Sequence, residues 1–146
     1  MGAYVKSKTL AEKAAWEFQA SIPEGPDRFD LVTILPAFVM GPPIRKEKTM
    51  SHGWITRCMS GAMTSISGSC CCVVDVRDVA FAHLQAIKVE AAANQRFLLV
   101  HSSPSFHKYA EAIQKKYIPL GWPIPTKKMK KEVGSYTSLY DNSASR

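Results

Sequence analysis

Apolar positions recur at helical spacing over residues 5–20. Leu10, Ala11, Ala14, Ala15 and Phe18 form a stripe, with Glu12, Lys13 and Glu17 outside it. The pattern predicts an amphipathic helix with its apolar stripe inward. Ser21 to Asp27 holds Pro23, Gly25 and Pro26 and predicts a turn. Phe29 to Leu35 is nearly all apolar and β-rich, as in a strand buried on both faces of a parallel sheet, and Pro36 stops it. An open α/β sheet binds its ligand beyond the carboxyl ends of its strands, so Pro36 to Val39 is the expected place for ligand contact.

The pattern then predicts a loop from Gly41 to Ser51. A short helix follows over Ser51 to Ser60, with Trp54, Ile55, Cys58 and Met59 inward and Gly61 at its end. Cys71 to Val76 reads as a strand, and Val79 to Ala92 as a helix capped by Asp78. Arg96 to Val100 is a second buried strand. Ser103-Pro104 opens a helix that runs to Tyr117, with Phe106, Tyr109, Ala110 and Ile113 facing inward. Strand and helix alternate, which argues an α/β fold.

A length of 146 residues supports one modest core, and 46% hydrophobic with 21% charged residues is a globular composition. No run of 18 apolar residues is present, so no transmembrane helix is expected. The first residues lack a secretory pattern, and Lys6 stands where a myristoylation motif needs Ser or Thr. A soluble cytoplasmic protein with no membrane partner is the expectation. Cys58, Cys70, Cys71 and Cys72 form no Cys-x-x-Cys, and His52, His83, His101 and His107 offer no metal-ligand spacing. Reduced thiols packed near a strand are expected, and no metal. The net charge of +7 is concentrated late: residues 101–146 carry eight basic and three acidic side chains, among them Lys127, Lys128, Lys130 and Lys131. No nucleic-acid module surrounds this cluster, so a solvated turn is expected and no nucleic-acid partner. Met40, Met50, Trp54 and Met63 read either as the lining of an apolar pocket or as ordinary core.

One candidate for chemistry stands out. Tyr4 and Lys8 are four positions apart, one helical turn from each other on the same face. A neighbouring ammonium favours phenolate over phenol. A Tyr so placed passes a proton to or from a carbonyl or alcohol oxygen. Alone, Tyr-x-x-x-Lys is a weak signal.

The surrounding blocks make it specific. Tyr4-Val5-Lys6-Ser7-Lys8-Thr9-Leu10-Ala11-Glu12-Lys13-Ala14-Ala15-Trp16 resembles the active-site helix of the extended short-chain dehydrogenase/reductases. The dihydroflavonol-reductase, cinnamoyl-CoA-reductase and methylglyoxal-reductase branch is the most similar. Leu35 to Pro42, Val74 to Ala80, Asn94 to Val100 and Asp141 to Arg146 follow in that family's order.

The resemblance implies a Rossmann-like parallel sheet, here incomplete, plus a smaller substrate-binding lobe. Residues 1–146 would be a single C-terminal portion of such a domain. The Gly-rich dinucleotide-binding half has no match here, nor has the Ser or Thr beside the catalytic Tyr. By resemblance the cofactor is NADP, with NAD left open, and the substrate is a small carbonyl compound or alcohol. Tyr4 would be the general acid/base and Lys8 the ribose ligand, both touching cofactor and forming the catalytic pair. Pro36, Val39 and Ser51 would complete the cofactor contacts, Val39 through its backbone near the nicotinamide and Ser51 near the phosphates. Activity of the chain on its own is doubtful on this reading, and a non-catalytic, partner-binding module derived from such a reductase is the alternative.

Overall fold

The computed structural model describes residues 2–44 and 50–129. The block Asp141 to Arg146, and Lys130 and Lys131 of the basic cluster, lie outside the described residues. The elements in chain order are α1 (Ala3–Ser21), β1 (Thr33–Pro36), β2 (Phe38–Met40), α2 (Met50–Met59), β3 (Val73–Asp75), α3 (Val76–Lys88), β4 (Arg96–Leu99) and α4 (Phe106–Tyr117). Strand–helix alternation gives the expected α/β class. The chain divides into two compact units, one of Met1–Leu35 with Phe81–Phe97, the other of Pro36–Ala80 with Leu98–Arg146.

In the first unit, helix α1 packs on the segment leading into β1. Strands β1 and β4 pair. The Thr33 N–H donates to Gln95 O at 3.0 Å and, among residues of the second unit, the Ala37 N–H donates to Leu99 O at 3.0 Å. Four residues are advanced along both strands, which is the register of a parallel pair. The strand expected over Phe29 to Leu35 is shorter, Thr33–Pro36, and half-buried. The residues before it are held by side chains instead of a ladder. Asn94 adopts a left-handed conformation with φ 58°. Its Oδ1 accepts from the Leu31 N–H at 3.1 Å and its Nδ2 donates to Asp30 Oδ1 at 2.7 Å. Asn is among the few residues that tolerate this backbone geometry.

In the second unit, β2 and β3 pair in parallel, Phe38 opposite Val73 and Met40 opposite Asp75. The other edge of β3 meets the chain after β4: the Val73 N–H donates to Ser102 O at 2.9 Å and the His101 N–H to Val73 O at 2.8 Å. Val73 and Val74 are accordingly buried. A separate core gathers Cys58, Ile66, Ala110 and Ile124, with Trp54, Met63, Phe106, Ile113 and Tyr117 packed against it. Trp54 lies 5.0 Å from the ring of Phe106, centroid to centroid. Trp54 and Met63 are therefore packed against this core, while Met50 is exposed. The inward faces expected for α2 and α4 are the ones observed.

Two cap assignments differ from expectation. Helix α3 begins at Val76, so Asp78 lies inside its first turn. Asp75 holds the cap: its Oδ1 accepts the Arg77 N–H at 2.8 Å and its carboxylate also takes the Arg77 guanidinium at 2.6 and 2.9 Å. That charged hydrogen bonding holds the Asp75 carboxyl well below the usual carboxylate range. The Asp75/Asp78 pair is thus a helix start, as its sequence position beside a β-strand permits. Helix α4 begins at Phe106 after Ser105, without the expected Ser103 cap. Ser103 instead accepts a hydrogen bond from the Cys72 thiol, at 3.2 Å. All four cysteines are free thiols. Burial pushes the Cys58 and Cys71 thiols up, which makes them less reactive at neutral pH.

Gly41 follows β2 with φ +135°. A Cβ there would stand 2.7 Å from Val76 Cγ1 and 3.3 Å from Asp75 Oδ1. Gly41→Ala therefore meets both an unfavourable backbone geometry and a steric clash at the α3 start. A loss of about 2 kcal/mol in stability is expected from such a combination. Urea unfolding followed by tryptophan fluorescence measures it.

Candidate active site

Helix α1 forms because residues 3–21 contain neither Pro nor Gly and are rich in Ala and Lys, with further helix formers in Leu10, Glu12, Glu17 and Gln19. It stops at Ile22, which is extended at ψ 123°. The residue before a proline, here Pro23, is driven out of helical geometry. Tyr4 and Lys8 occupy its first turns. The Tyr4 side chain is 72% exposed. The Lys8 ammonium lies 5.8 Å from the Tyr4 ring centroid, within cation–π range. The Ser7 hydroxyl donates to the Tyr4 carbonyl at 2.7 Å. No carboxylate among the described residues pairs with Lys8. The expected juxtaposition of Tyr4 and Lys8 is therefore present, with both polar ends open.

What fixes this helix differs from the sequence reading. The apolar stripe of Leu10, Ala11, Ala14 and Phe18 faces outward and is exposed. The inward face is Glu12, Ala15, Trp16 and Gln19, and Gln19 is buried. Glu12 Oε1 accepts from Arg96 Nε at 2.7 Å and from the Thr33 hydroxyl at 3.1 Å, and Oε2 accepts from Arg96 Nη2 at 3.1 Å. Gln19 Nε2 donates to Phe29 O at 3.2 Å and to Asn94 Oδ1 at 3.3 Å. A fork-to-fork Arg–carboxylate pair with further donors is a strong, directional fastening. Its partners come from 21 and 84 residues away, so helical periodicity alone gives no sign of them.

These two fastenings set the direction of α1. Glu12 meets Thr33 and Gln19 meets Phe29, so the helix runs against the direction of the chain it lies on. With a helical rise of about 1.5 Å per residue, Lys8 lies about 6 Å and Tyr4 about 12 Å beyond Glu12. With a strand rise of about 3.3 Å, Lys8 is level with Leu35, and Tyr4 is farther along.

Arg96, then burial working against it, then Thr33 and Trp16 act on Glu12, and its carboxyl is lowered to about 2. A carboxylate with a depressed folded-state value stabilises the fold above its unfolded value and loses that contribution as pH falls. Stability of the first unit is therefore expected to fall between about pH 4.5 and 2. The Arg96 side chain is 60% exposed, so solvent screening limits the effect to about 1 kcal/mol. Glu12→Gln should flatten this acid limb, as read by circular dichroism at a series of pH values.

The remaining candidate residues lie in the second unit. Pro36 closes β1 and is exposed. After a single break at Ala37 the chain resumes as β2, because β3 offers it a parallel partner. Val39 is therefore a strand residue, half-buried and opposite Val74, not part of an open loop. Ser51 sits half-buried in the first turn of α2. Next to it, His52 Nε2 lies 3.1 Å from Gly41 O. Tyr109, by contrast, is pushed up to about 12, chiefly by burial and then by Cys71 and Cys72, so it is a poor proton donor near neutral pH.

No family model matches the chain. Individual relatives do. A ketoreductase from Aspergillus niger is 36% identical over 98% of this chain and 44% of its own length. A cinnamoyl-CoA reductase from Medicago truncatula is 36% identical over 82% of this chain and 35% of its own length. Among solved structures, Gre2 from Candida albicans in complex with NADPH superposes with a TM-score of 0.75 at 31% identity, covering 96% of this chain and 43% of that one. The yeast methylglyoxal/isovaleraldehyde reductase Gre2 with NADPH gives 0.77 at 29%, covering 98% and 44%. The parallel strand pairs with flanking helices are thus part of a Rossmann-type fold. The chain belongs to the short-chain dehydrogenase/reductase family, in the branch of these ketone, cinnamoyl-CoA and methylglyoxal reductases. It spans less than half the length of the curated relatives it matches.

Proposed function

We propose that this chain carries the proton-donating part of an NADPH-dependent reductase of small carbonyl compounds. The observation that supports this most is the open Tyr4–Lys8 pair on α1, in a chain whose relatives include two reductases solved with NADPH. The residues present fit the group. Lys8 offers an ammonium with no carboxylate partner among the described residues, and Tyr4 offers an open phenol on the same helix. When bound, NADPH supplies the hydride that reaches the carbonyl carbon. Tyr4 gives its phenolic proton to the carbonyl oxygen, which completes the alcohol. Lys8 hydrogen-bonds the nicotinamide ribose, and its positive charge offsets the negative charge left on the Tyr4 oxygen. Pro36, the Val39 backbone and the Ser51 hydroxyl would be the further residues that hold the cofactor.

The compartment proposed is the cytoplasm. Among the described residues no helix is long and apolar enough to cross a membrane. Lys128, one member of the basic cluster, is engaged by Glu111 at 2.6 Å, which supports a folded surface rather than a nucleic-acid arm.

A hybrid protein tests this reading. The part of the Aspergillus niger ketoreductase without counterpart here is joined to this chain, and NADPH consumption is followed with a panel of small aldehydes and ketones. Carbonyl-dependent oxidation of NADPH is the expected result. A folded hybrid that consumes no NADPH with any carbonyl on the panel would contradict it.

A further inference from the structure

Cys70, Cys71 and Cys72 are three adjacent free thiols that the reductase reading leaves unused. All three are half-buried, and they lie in the second unit. The chain around them is paired with the segment that leads into α4. The Phe106 N–H donates to Ser69 O at 3.0 Å, the Cys71 N–H to Pro104 O at 3.0 Å and the Val73 N–H to Ser102 O at 2.9 Å. Each step of two residues forward on one segment is a step of two backward on the other, which makes an antiparallel ladder. Cys70 and Cys72 fall between these bonds, where facing side chains come closest. Cys70 stands opposite Ser105, and the Cys72 thiol donates to the Ser103 hydroxyl at 3.2 Å. Side chains alternate along an extended chain, so Cys70, Cys72, Ser103 and Ser105 share one face of this ribbon. Cys71 takes the other face, and burial, then Cys72, pushes its thiol up.

Spacing decides what two thiols on one face can do. Residues two apart on an extended chain have Cα atoms about 6.7 Å apart. A disulfide needs Cβ atoms about 3.8 Å apart, so the pair cannot close without backbone movement. Two thiolates on opposite sides of one metal ion stand farther apart. At about 2.3 Å per metal–sulfur bond the sulfurs are about 4.6 Å from each other, which two Cβ–Sγ bonds leaning together reach. We propose that Cys70 and Cys72 form a two-coordinate thiolate site for a soft monovalent cation, copper(I). Sulfur ligands select this ion. Zinc takes three or four protein ligands, and among the described residues no group of three or more His, Cys, Asp or Glu could hold a metal ion. The expectation of no metal rested on the spacing of such sites and does not bear on a two-ligand one. Binding breaks two S–H bonds, forms two copper–sulfur bonds and releases two protons to solvent, with no electron transferred. The loaded site carries one net negative charge. The Ser103 and Ser105 hydroxyls then donate to the thiolates. Ser105 makes no side-chain cap bond to α4, and the start of that helix favours negative charge. The inference is independent of the reductase reading.

The test titrates the full 146-residue chain, reduced and under anaerobic conditions, with copper(I) in competition with a chromogenic chelator. One ion per chain is expected, with two sulfur neighbours in X-ray absorption. Cys70→Ser and Cys72→Ser should each abolish binding, Cys71→Ser and Cys58→Ser should leave it, and Ser103→Ala should weaken it about 10-fold. Circular dichroism checks that each variant keeps its helices. In urea the three adjacent thiols become equivalent, so the preference for Cys70 and Cys72 over Cys71 should vanish. That preference reads the folded ribbon rather than a run of cysteines. No binding against the chelator overturns the proposal. So does a loss in Cys71→Ser equal to that in Cys70→Ser, or a third sulfur neighbour on the bound ion.

Discussion

Tyr4→Phe in the active hybrid is expected to lower turnover by about 100-fold or more, the range associated with loss of a general acid. The ring and its stacking against Lys8 remain, and only the transferable proton is removed. Cofactor affinity should stay within a factor of about two, because the loss falls on the chemical step alone. Lys8→Ala should behave differently. It removes the proposed ribose contact as well as the charge beside Tyr4, so both the cofactor Kd and turnover should worsen. Steady-state kinetics with separate NADPH titrations tell the two patterns apart. Equal losses in both variants, or near-normal turnover for Tyr4→Phe, would refute the division of roles.

The second large effect is expected in the core of the other unit. Ile66 is 1% exposed and packs with Cys58, Ala110 and Ile124. Its backbone also binds residues 127–129, through the Lys127 carbonyl at 2.9 Å and the Met129 N–H at 2.8 Å. His107 Nε2 lies 3.0 Å from the Ile66 carbonyl. Ile66→Ala removes buried carbon from a site held on several sides, where collapse around the void is restricted. The expected cost is about 3 kcal/mol, within the range for large-to-small changes in cores. Thermal unfolding should shift down by several degrees, while α1, which belongs to the other unit, should keep its helical signal. A change under about 1 kcal/mol would show that this core relaxes freely.

Local chemistry explains which of these features were legible in the sequence. The limits of α1 follow from residues it contains and from Pro23, and Gly61 ends α2 in a left-handed turn at φ 75°. The inward residues of α2 and α4 follow from apolar spacing alone. The Tyr4–Lys8 approach needs only helical geometry. By contrast, the buried side of α1 is decided by Arg96, Thr33 and Asn94, none of which is a sequence neighbour. A glutamate satisfied by a distant arginine reads, from periodicity, as a solvent-facing residue. Asn94 leaves a faint trace, since Asn is favoured where the backbone turns left-handed. The Asp75 cap was displaced from Asp78 because the strand ends one residue before the helix begins, with no loop between them.

Transfer of label is the most direct test of the central claim. NADPH carrying deuterium at the transferable C4 position is supplied to the hybrid, with this chain as its only source of Tyr4 and Lys8, and the product alcohol is examined by mass spectrometry. The account requires one deuterium on the former carbonyl carbon for each NADPH consumed, with the rate collapsing in Tyr4→Phe. Consumption of NADPH with no deuterium in the alcohol, or labelled product formed equally fast without the Tyr4 hydroxyl, would contradict it.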